Sequence, residues 1–370
     1  MAQNQNIDLS SHKTSEDCNQ EHFQKKVPVI RYFANRLSEN IKTSKDLHEG
    51  IRPSLFSRPG APIRHMAATV DFKYLYASLG NNTLLKYDLA SKELISETPN
   101  IHADQIDFIC CSPSYLLTSS VSGEIKQFSI VEGGPDTEFH NYENPHGCKI
   151  TGLTCTKKSD KIGFSSDEKG FLNLIDLDEK KPLEVENLVK GSISSLYVLP
   201  NENSLYVGYK HGHCFEFNLT DNDYEFQHKL PCEFKSPIVA MSAQKNSQKL
   251  FVASADGCLR LFNILEFNLE KNFGEIHRAT IKCMQISRDD AFLFSNDAHG
   301  IMRKFSVQQK VLLKSWSAIE EIKKDGDRAG DYFNLSGDDA WVMASGQLIS
   351  SGANGHICTI PINDTIYHAD

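Results

Sequence analysis

Histidine, cysteine and clustered carboxylates are the side chains through which this 370-residue chain could do chemistry, and His211, His213 and Cys214 form its densest metal-like group. A zinc site needs ligands that converge. On an extended strand His213 and Cys214 point to opposite faces, and His211 falls in the turn before them, so no zinc site is assigned. Asp221-Asn222-Asp223 and Asp325-Gly326-Asp327 have the outline of calcium loops but lack the spaced oxygens and the closing glutamate. The sequence holds no phosphate-cradling Gly-x-x-x-x-Gly-Lys-Ser/Thr loop, no His-Glu-x-x-His, no Gly-x-Ser-x-Gly elbow and no Cys-x-x-Cys. Catalytic residues, metal and cofactor are therefore all assigned as none, and the chain is expected not to be an enzyme.

The elements that position the remaining polar residues are short hairpins. Phe251 to Ile264 reads as two strands joined by Asp256-Gly257, whose backbone freedom suits a tight turn. One such hairpin cannot bury its apolar face alone, whereas stacked copies bury each other's. The same frame returns at positions 82, 123, 170, 212, 257, 300 and 355, each with an apolar residue two past the turn and an aliphatic one seven past it. Five past the turn stands a bulky residue: Tyr87, Phe128, Ile175, Phe217, Phe262, Phe305 and Ile360. The period lies mostly in the forties, that of a four-stranded propeller blade.

On these residues the chain resembles the WD40 family. The bulky position stands where that family carries tryptophan, and Asp88, Asp176, Asn218 and Asn263 stand near its aspartate, though no repeat has a Trp-Asp pair. The family's upstream histidine is matched by His102, His146 and His277, each four residues before Ile106, Ile150 or Ile281. No repeat holds the family's whole His, Ser/Thr, Asp, Trp set. The resemblance covers residues 52 to 362 and implies an all-β fold, a seven-bladed β-propeller of divergent WD40 type. Closure by an N-terminal strand, common in that family, assigns the stretch around Leu55 to the last blade, with Thr365-Ile366-Tyr367 as the competing candidate.

The residues preceding the turn positions, Asn81, Ser122, Lys169, His211, Asp256, His299 and Asn354, are then expected to form a polar ring on one face. A rigid ring of this kind presents groups to a peptide or protein at low ordering cost. Resemblance to WD40 proteins implies a non-catalytic scaffold or adaptor that binds peptide segments or protein subunits in a multi-protein complex. The alternatives are a propeller enzyme without a recognisable motif and a lipid- or nucleic-acid-binding propeller. One branch of WD40-like propellers binds phosphoinositides through Phe-Arg-Arg-Gly; this chain has Phe273-Gly274-Glu275-Ile276 instead, which removes the charge-assisted hydrogen bonds that the head group requires.

Composition bounds these readings. Apolar residues make up 40% of the chain and charged residues 24%, values of a soluble globular protein. The net charge of −9 with no long basic run argues against nucleic acid and anionic membranes as partners. Ten cysteines scattered through strands, and a start lacking a signal-peptide pattern, suit the reducing cytosol or nucleus.

Three segments surround or interrupt the repeats. Residues 1–26 are polar, with almost no apolar pattern, and are expected to be a disordered tail. Over residues 27–50, Ile30, Phe33, Leu37 and Ile41 recur at helical spacing, which predicts an amphipathic helix whose stripe is covered either by the propeller or by a partner subunit. Residues 51–370 carry the propeller. Between positions 300 and 355 the longer spacing includes the charged run from Glu320 to Arg328, expected to be an exposed loop.

Overall fold

The computed structural model describes residues 54–57, 61–142, 146–183, 191–220, 226–287, 289–299, 301–317, 341–344, 347–351 and 357–361. All of them fall within one compact unit, Ile51–Asp370. The polar tail, the helix over 27–50 with Ile30, Phe33, Leu37 and Ile41, the charged run 320–328 and Asn354 lie outside the described residues.

The chain is all-β, with repeated four-stranded antiparallel sheets and no helix among the described residues. Strand β1 (Ser54–Ser57) comes first. The first consecutive sheet is β2 (Ile63–Ala68), β3 (Tyr74–Leu79), β4 (Thr83–Asp88) and β5 (Leu94–Pro99). The second is β6 (Ile106–Cys111), β7 (Tyr115–Ser120), β8 (Ile125–Ser129) and β9 (Phe139–Tyr142). The third is β10 (Ile150–Cys155), β11 (Ile162–Asp167), β12 (Leu172–Asp176) and β13 (Lys181–Leu183). The fourth is β14 (Ile193–Val198), β15 (Ser204–Tyr209), β16 (Cys214–Asn218) and β17 (Phe226–Lys229). The fifth is β18 (Ile238–Ala243), β19 (Lys249–Ser254), β20 (Cys258–Asn263) and β21 (Asn268–Glu275). The sixth is β22 (Ile281–Ile286), β23 (Phe292–Asp297), β24 (Ile301–Ser306) and β25 (Val311–Ser317). A further sheet joins the two ends of the unit, in the order β1, β28 (Ile357–Pro361), β27 (Gln347–Ser351), β26 (Trp341–Ala344). In it Leu55 pairs with Cys358, so the stretch around Leu55 completes the last sheet.

In the six consecutive sheets the second strand is buried from its second residue onward, because successive side chains serve different cores. In β19, Leu250 and Val252 pack with Tyr206, Met241 and Phe262 on one side. Phe251 and Ala253 pack with Ile281, Met284 and Phe305 on the other. This is the two-residue period of a strand used on both faces. Six of the seven bulky residues five past the turn are buried: Tyr87, Phe128, Ile175, Phe217, Phe262 and Phe305. At ~1.5–3 kcal/mol for each large apolar side chain, these seams supply most of the cohesion. The core of the first sheet includes Ile357 of β28, so the first and last sheets share one seam. The first strands pack in succession, β2 on β6, β6 on β10, and so on to β22 on β26, and β26 packs on β2.

A second regularity has no counterpart in the sequence frames. In each of the six consecutive sheets the register slips directly after the opening isoleucine: Ile63/His65, Ile106/Phe108, Ile150/Gly152, Ile193/Ser195, Ile238/Ala240 and Ile281/Cys283. A β-bulge bends its strand and increases the local twist. Repeating it at the same place in each first strand bends all six alike.

Candidate functional site

Six of the seven ring residues, Asn81, Ser122, Lys169, His211, Asp256 and His299, sit in the turns between the second and third strands, and all six are exposed. These turns are tied down by a repeated bond to the segment leading into the first strand of the same sheet. Gly80 N donates to Pro62 O at 2.7 Å, Val121 N to Gln105 O at 3.1 Å and Glu168 N to Lys149 O at 3.2 Å. Lys210 N donates to Ser192 O at 3.0 Å, Ala255 N to Pro237 O at 2.8 Å and Ala298 N to Thr280 O at 2.9 Å. A turn fixed at its base presents its outer residues with little loss of backbone freedom on binding.

Two turn glycines show why the frame needs them. Gly212 and Gly257 have φ of +84° and +82°, and a Cβ there would lie 2.0 Å from Phe234 O and 1.9 Å from His277 O. Any side chain would break the close approach between a turn and the lead-in segment of the next sheet.

Three of the histidines found by their spacing organise buried polar sets. His277 Nδ1 lies 3.0 Å from Asp297 Oδ2 and its Nε2 lies 2.8 Å from Ser295 Oγ. His146 repeats this with Asp167 at 3.2 Å and Ser165 at 2.8 Å. His102 bonds Thr118 at 2.8 Å through Nε2, but its acid is Glu124 at 2.7 Å. In the neutral ring Nδ1–H donates to the carboxylate and Nε2 accepts from the hydroxyl. The arrangement has the connectivity of a hydrolytic triad, in which a base activates a serine. Ser165 and Ser295 are fully buried, however, and the three histidine side chains have no exposed surface, so no substrate carbonyl can reach them. Their role is to join the lead-in segment, the second strand and the turn.

Burial is the largest cause holding His102, His146 and His277 below the ordinary imidazole value, and it outweighs their acid neighbours. The sign follows directly. A base whose folded pKa is depressed contributes stability that is complete above its unfolded pKa of about 6.5 and is lost as pH falls through the folded value. The urea midpoint of unfolding is therefore expected to drop between about pH 7.5 and about pH 5.5. A midpoint that stays level across that interval would show that these rings are not held neutral.

The metal-like group separates as its alternation requires. The His211 and His213 rings meet edge-on with centroids 4.6 Å apart. Cys214 is turned into the core, where Sγ lies 3.7 Å from Met241 Sδ. Among the described residues no three His, Cys, Asp or Glu side chains converge on a common point. Asp221-Asn222-Asp223 and Asp325-Gly326-Asp327 lie outside the described residues. No helix among those described is long and apolar enough to cross a membrane.

The hydroxyl and acid partners of the histidines were not found by sequence reasoning, although a signal was present. Thr118, Ser165 and Ser295 stand five before their turn positions, and Asp167 and Asp297 stand three before. In the fifth sheet the position of the histidine is Phe234 and that of the hydroxyl is Val252, so the polar pair is replaced as a unit by an apolar one.

Fold and site together define an all-β repeat protein that displays polar turns on short, buttressed hairpins. No family model matches the chain. It is similar to the Homo sapiens kinesin-like protein KIF21A, at 28% identity over 210 residues, which are 54% of this chain and 12% of that protein. The chain thus matches only a small part of that relative's length.

Proposed function

We propose that residues 51–370 form a closed seven-bladed β-propeller of WD40 type that serves as a non-catalytic scaffold, holding peptide segments or protein subunits of a complex. The cyclic packing of the first strands and the completion of the last sheet by β1 support the closed ring. The buried His, hydroxyl and acid sets, three of the four members of the WD40 hydrogen-bonded set, support the family. The observation that carries the scaffold role is the set of exposed turn residues Asn81, Ser122, Lys169, His211, Asp256 and His299 on backbone-anchored turns, with Asn354 at the equivalent sequence position. Rigid display of mixed polar groups suits binding of an extended partner. The setting proposed for this role is the cytosol or nucleus.

Affinity capture of the full-length chain from its native cells is expected to return a protein at stoichiometric yield. Replacing Asn81, Lys169 and His211 together by alanine lowers that yield by about tenfold. Replacing Lys157 and Lys158, in the turn at the other end of the third sheet, leaves it unchanged. Recovery of no stoichiometric protein, or equal loss with both variants, rules the reading out. The same capture with a chain lacking residues 1–50 decides whether Ile30, Phe33, Leu37 and Ile41 hold the partner.

A further inference from the structure

We propose that the turn-bearing end of the fourth, fifth and sixth sheets binds acidic, carboxylate-rich peptide segments, an inference that rests on the scaffold reading and names its ligand class. Backbone bonds join these three sheets at that end. Phe234 N donates to Gly212 O at 3.2 Å, and Ile276 N and His277 N donate to Gly257 O at 2.8 and 3.2 Å. The turns at 210–212, 255–257 and 298–299 and the lead-in segments at 234–237 and 276–280 therefore make one continuous surface.

Four exposed cations on this surface have no carboxylate partner among the described residues. Lys210, Lys235, Arg278 and Lys282 are exposed, and none lies within 4.0 Å of a carboxylate among the described residues. Arg260 and Arg303, on the third strands just below the turns, each have an Nε without a hydrogen-bond partner. Arg260 stacks instead over the Phe234 ring, with Cζ 4.2 Å from the centroid. The preceding sheets differ: Lys126 Nζ is 3.2 Å from Glu124 and Lys149 Nζ is 4.0 Å from Asp107. The exposed carboxylates at the basic end are Glu233, Asp256 and Glu275, and Asp256 is already engaged by the Ser254 hydroxyl. Six cations against these three acids and the buried Asp297, which attracts Arg303, still leave a positive balance on a chain whose net charge is −9.

The local field agrees with this geometry. His211 is held below the ordinary imidazole value first by burial and then by the neighbouring His213 and Lys229. An anionic ligand relieves such like-charge crowding, and complementary charge steers its approach. Glu233, Asp256 and Glu275, interspersed among the cations, would repel a continuous phosphate backbone. A peptide can place its carboxylates one at a time.

The test is fluorescence anisotropy of a labelled poly-glutamate peptide, its poly-glutamine counterpart and a single-stranded oligonucleotide, each titrated with the full-length chain. The glutamate peptide is expected to bind with an affinity that falls as salt rises, the glutamine peptide at least about tenfold more weakly. Joint reversal by Lys235→Glu, Arg278→Glu and Lys282→Glu should weaken glutamate binding at least about tenfold; reversal by Lys157→Glu and Lys158→Glu should not. Equal binding of the two peptides, tighter binding of the oligonucleotide, or equal loss with both reversals overturns the proposal. If the triple variant fails to fold, the ligand series on the native chain decides alone. Stoichiometric capture of a protein partner that survives the triple reversal refutes the acidic ligand while leaving the scaffold reading intact; loss of all capture by the unaltered chain refutes the scaffold reading itself.

Discussion

Replacing Lys86 by methionine is expected to destabilise the protein by about 3–5 kcal/mol, the range for removing one partner of a buried ion pair. The Lys86 and Asp136 side chains are 1% and 3% exposed, and Nζ lies 2.9 Å from Asp136 Oδ1. Nζ also donates to Val131 O at 2.6 Å and Gly134 O at 3.1 Å, and it lies 4.5 Å from the centroid of the Tyr74 ring. Asp136 further accepts Tyr76 OH at 2.6 Å and Val131 N at 2.6 Å. One ammonium thus satisfies a whole loop between β8 and β9 and pins it to the neighbouring sheet. Methionine fills much of the stem's volume but leaves a carboxylate and two carbonyls without their cation. The double variant with Asp136→Leu removes both charges, and its loss should fall short of the summed single losses by at least about 1 kcal/mol. Urea midpoints of the two single variants and the double decide the matter. A loss below about 1 kcal/mol for Lys86→Met, or strict additivity, would mean the pair is solvated in a way its burial denies.

Lys86 also marks where sequence reading stops. The turn frames were legible because glycine, or Asn82 at φ +63°, is forced wherever a turn runs through left-handed backbone, and because the residue five past each turn must fill a seam between sheets. The strand around Leu55 was legible from topology, since a sheet left with three strands has an open edge. By contrast, the residue four past the turn is Lys86, Gln127, Leu174, Glu216, Leu261 or Lys304 in the six consecutive sheets, and every one is buried. A lysine there looks like a solvated side chain. Its partner Asp136 lies in an irregular loop 50 residues away, where no period points to it. The repeated bulge is invisible for a related reason: Arg64, Asp107, Thr151, Ser194, Val239 and Lys282 share no chemistry, only a place in the bend of the first strand.

Replacing His277 by phenylalanine is expected to cost about 3 kcal/mol, and further replacing Ser295 by valine and Asp297 by serine to restore most of that loss. The single change strands two buried groups. Ser295 is fully buried and loses its acceptor, while Asp297 loses the imidazole that bonds its Oδ2. Against the opposing effect of burial, His277 is the largest of the causes that hold the Asp297 carboxyl below its ordinary value. The triple change is not arbitrary, for it copies what the protein does one sheet earlier with Phe234, Val252 and Ser254. There Arg260 covers the phenylalanine ring, and Arg303, whose charge acts on His277, occupies the equivalent position in the sixth sheet and can cover the new ring. Polar and apolar versions of the set are two self-consistent ways to fasten a lead-in segment to its turn, and mixtures are costly because each leaves a buried group unmatched. Urea midpoints near pH 7.5 supply the measurement. A triple variant no more stable than His277→Phe would show that the fifth and sixth sheets are fastened by different contacts, and that the shared frame fixes the backbone but not the way each turn is held.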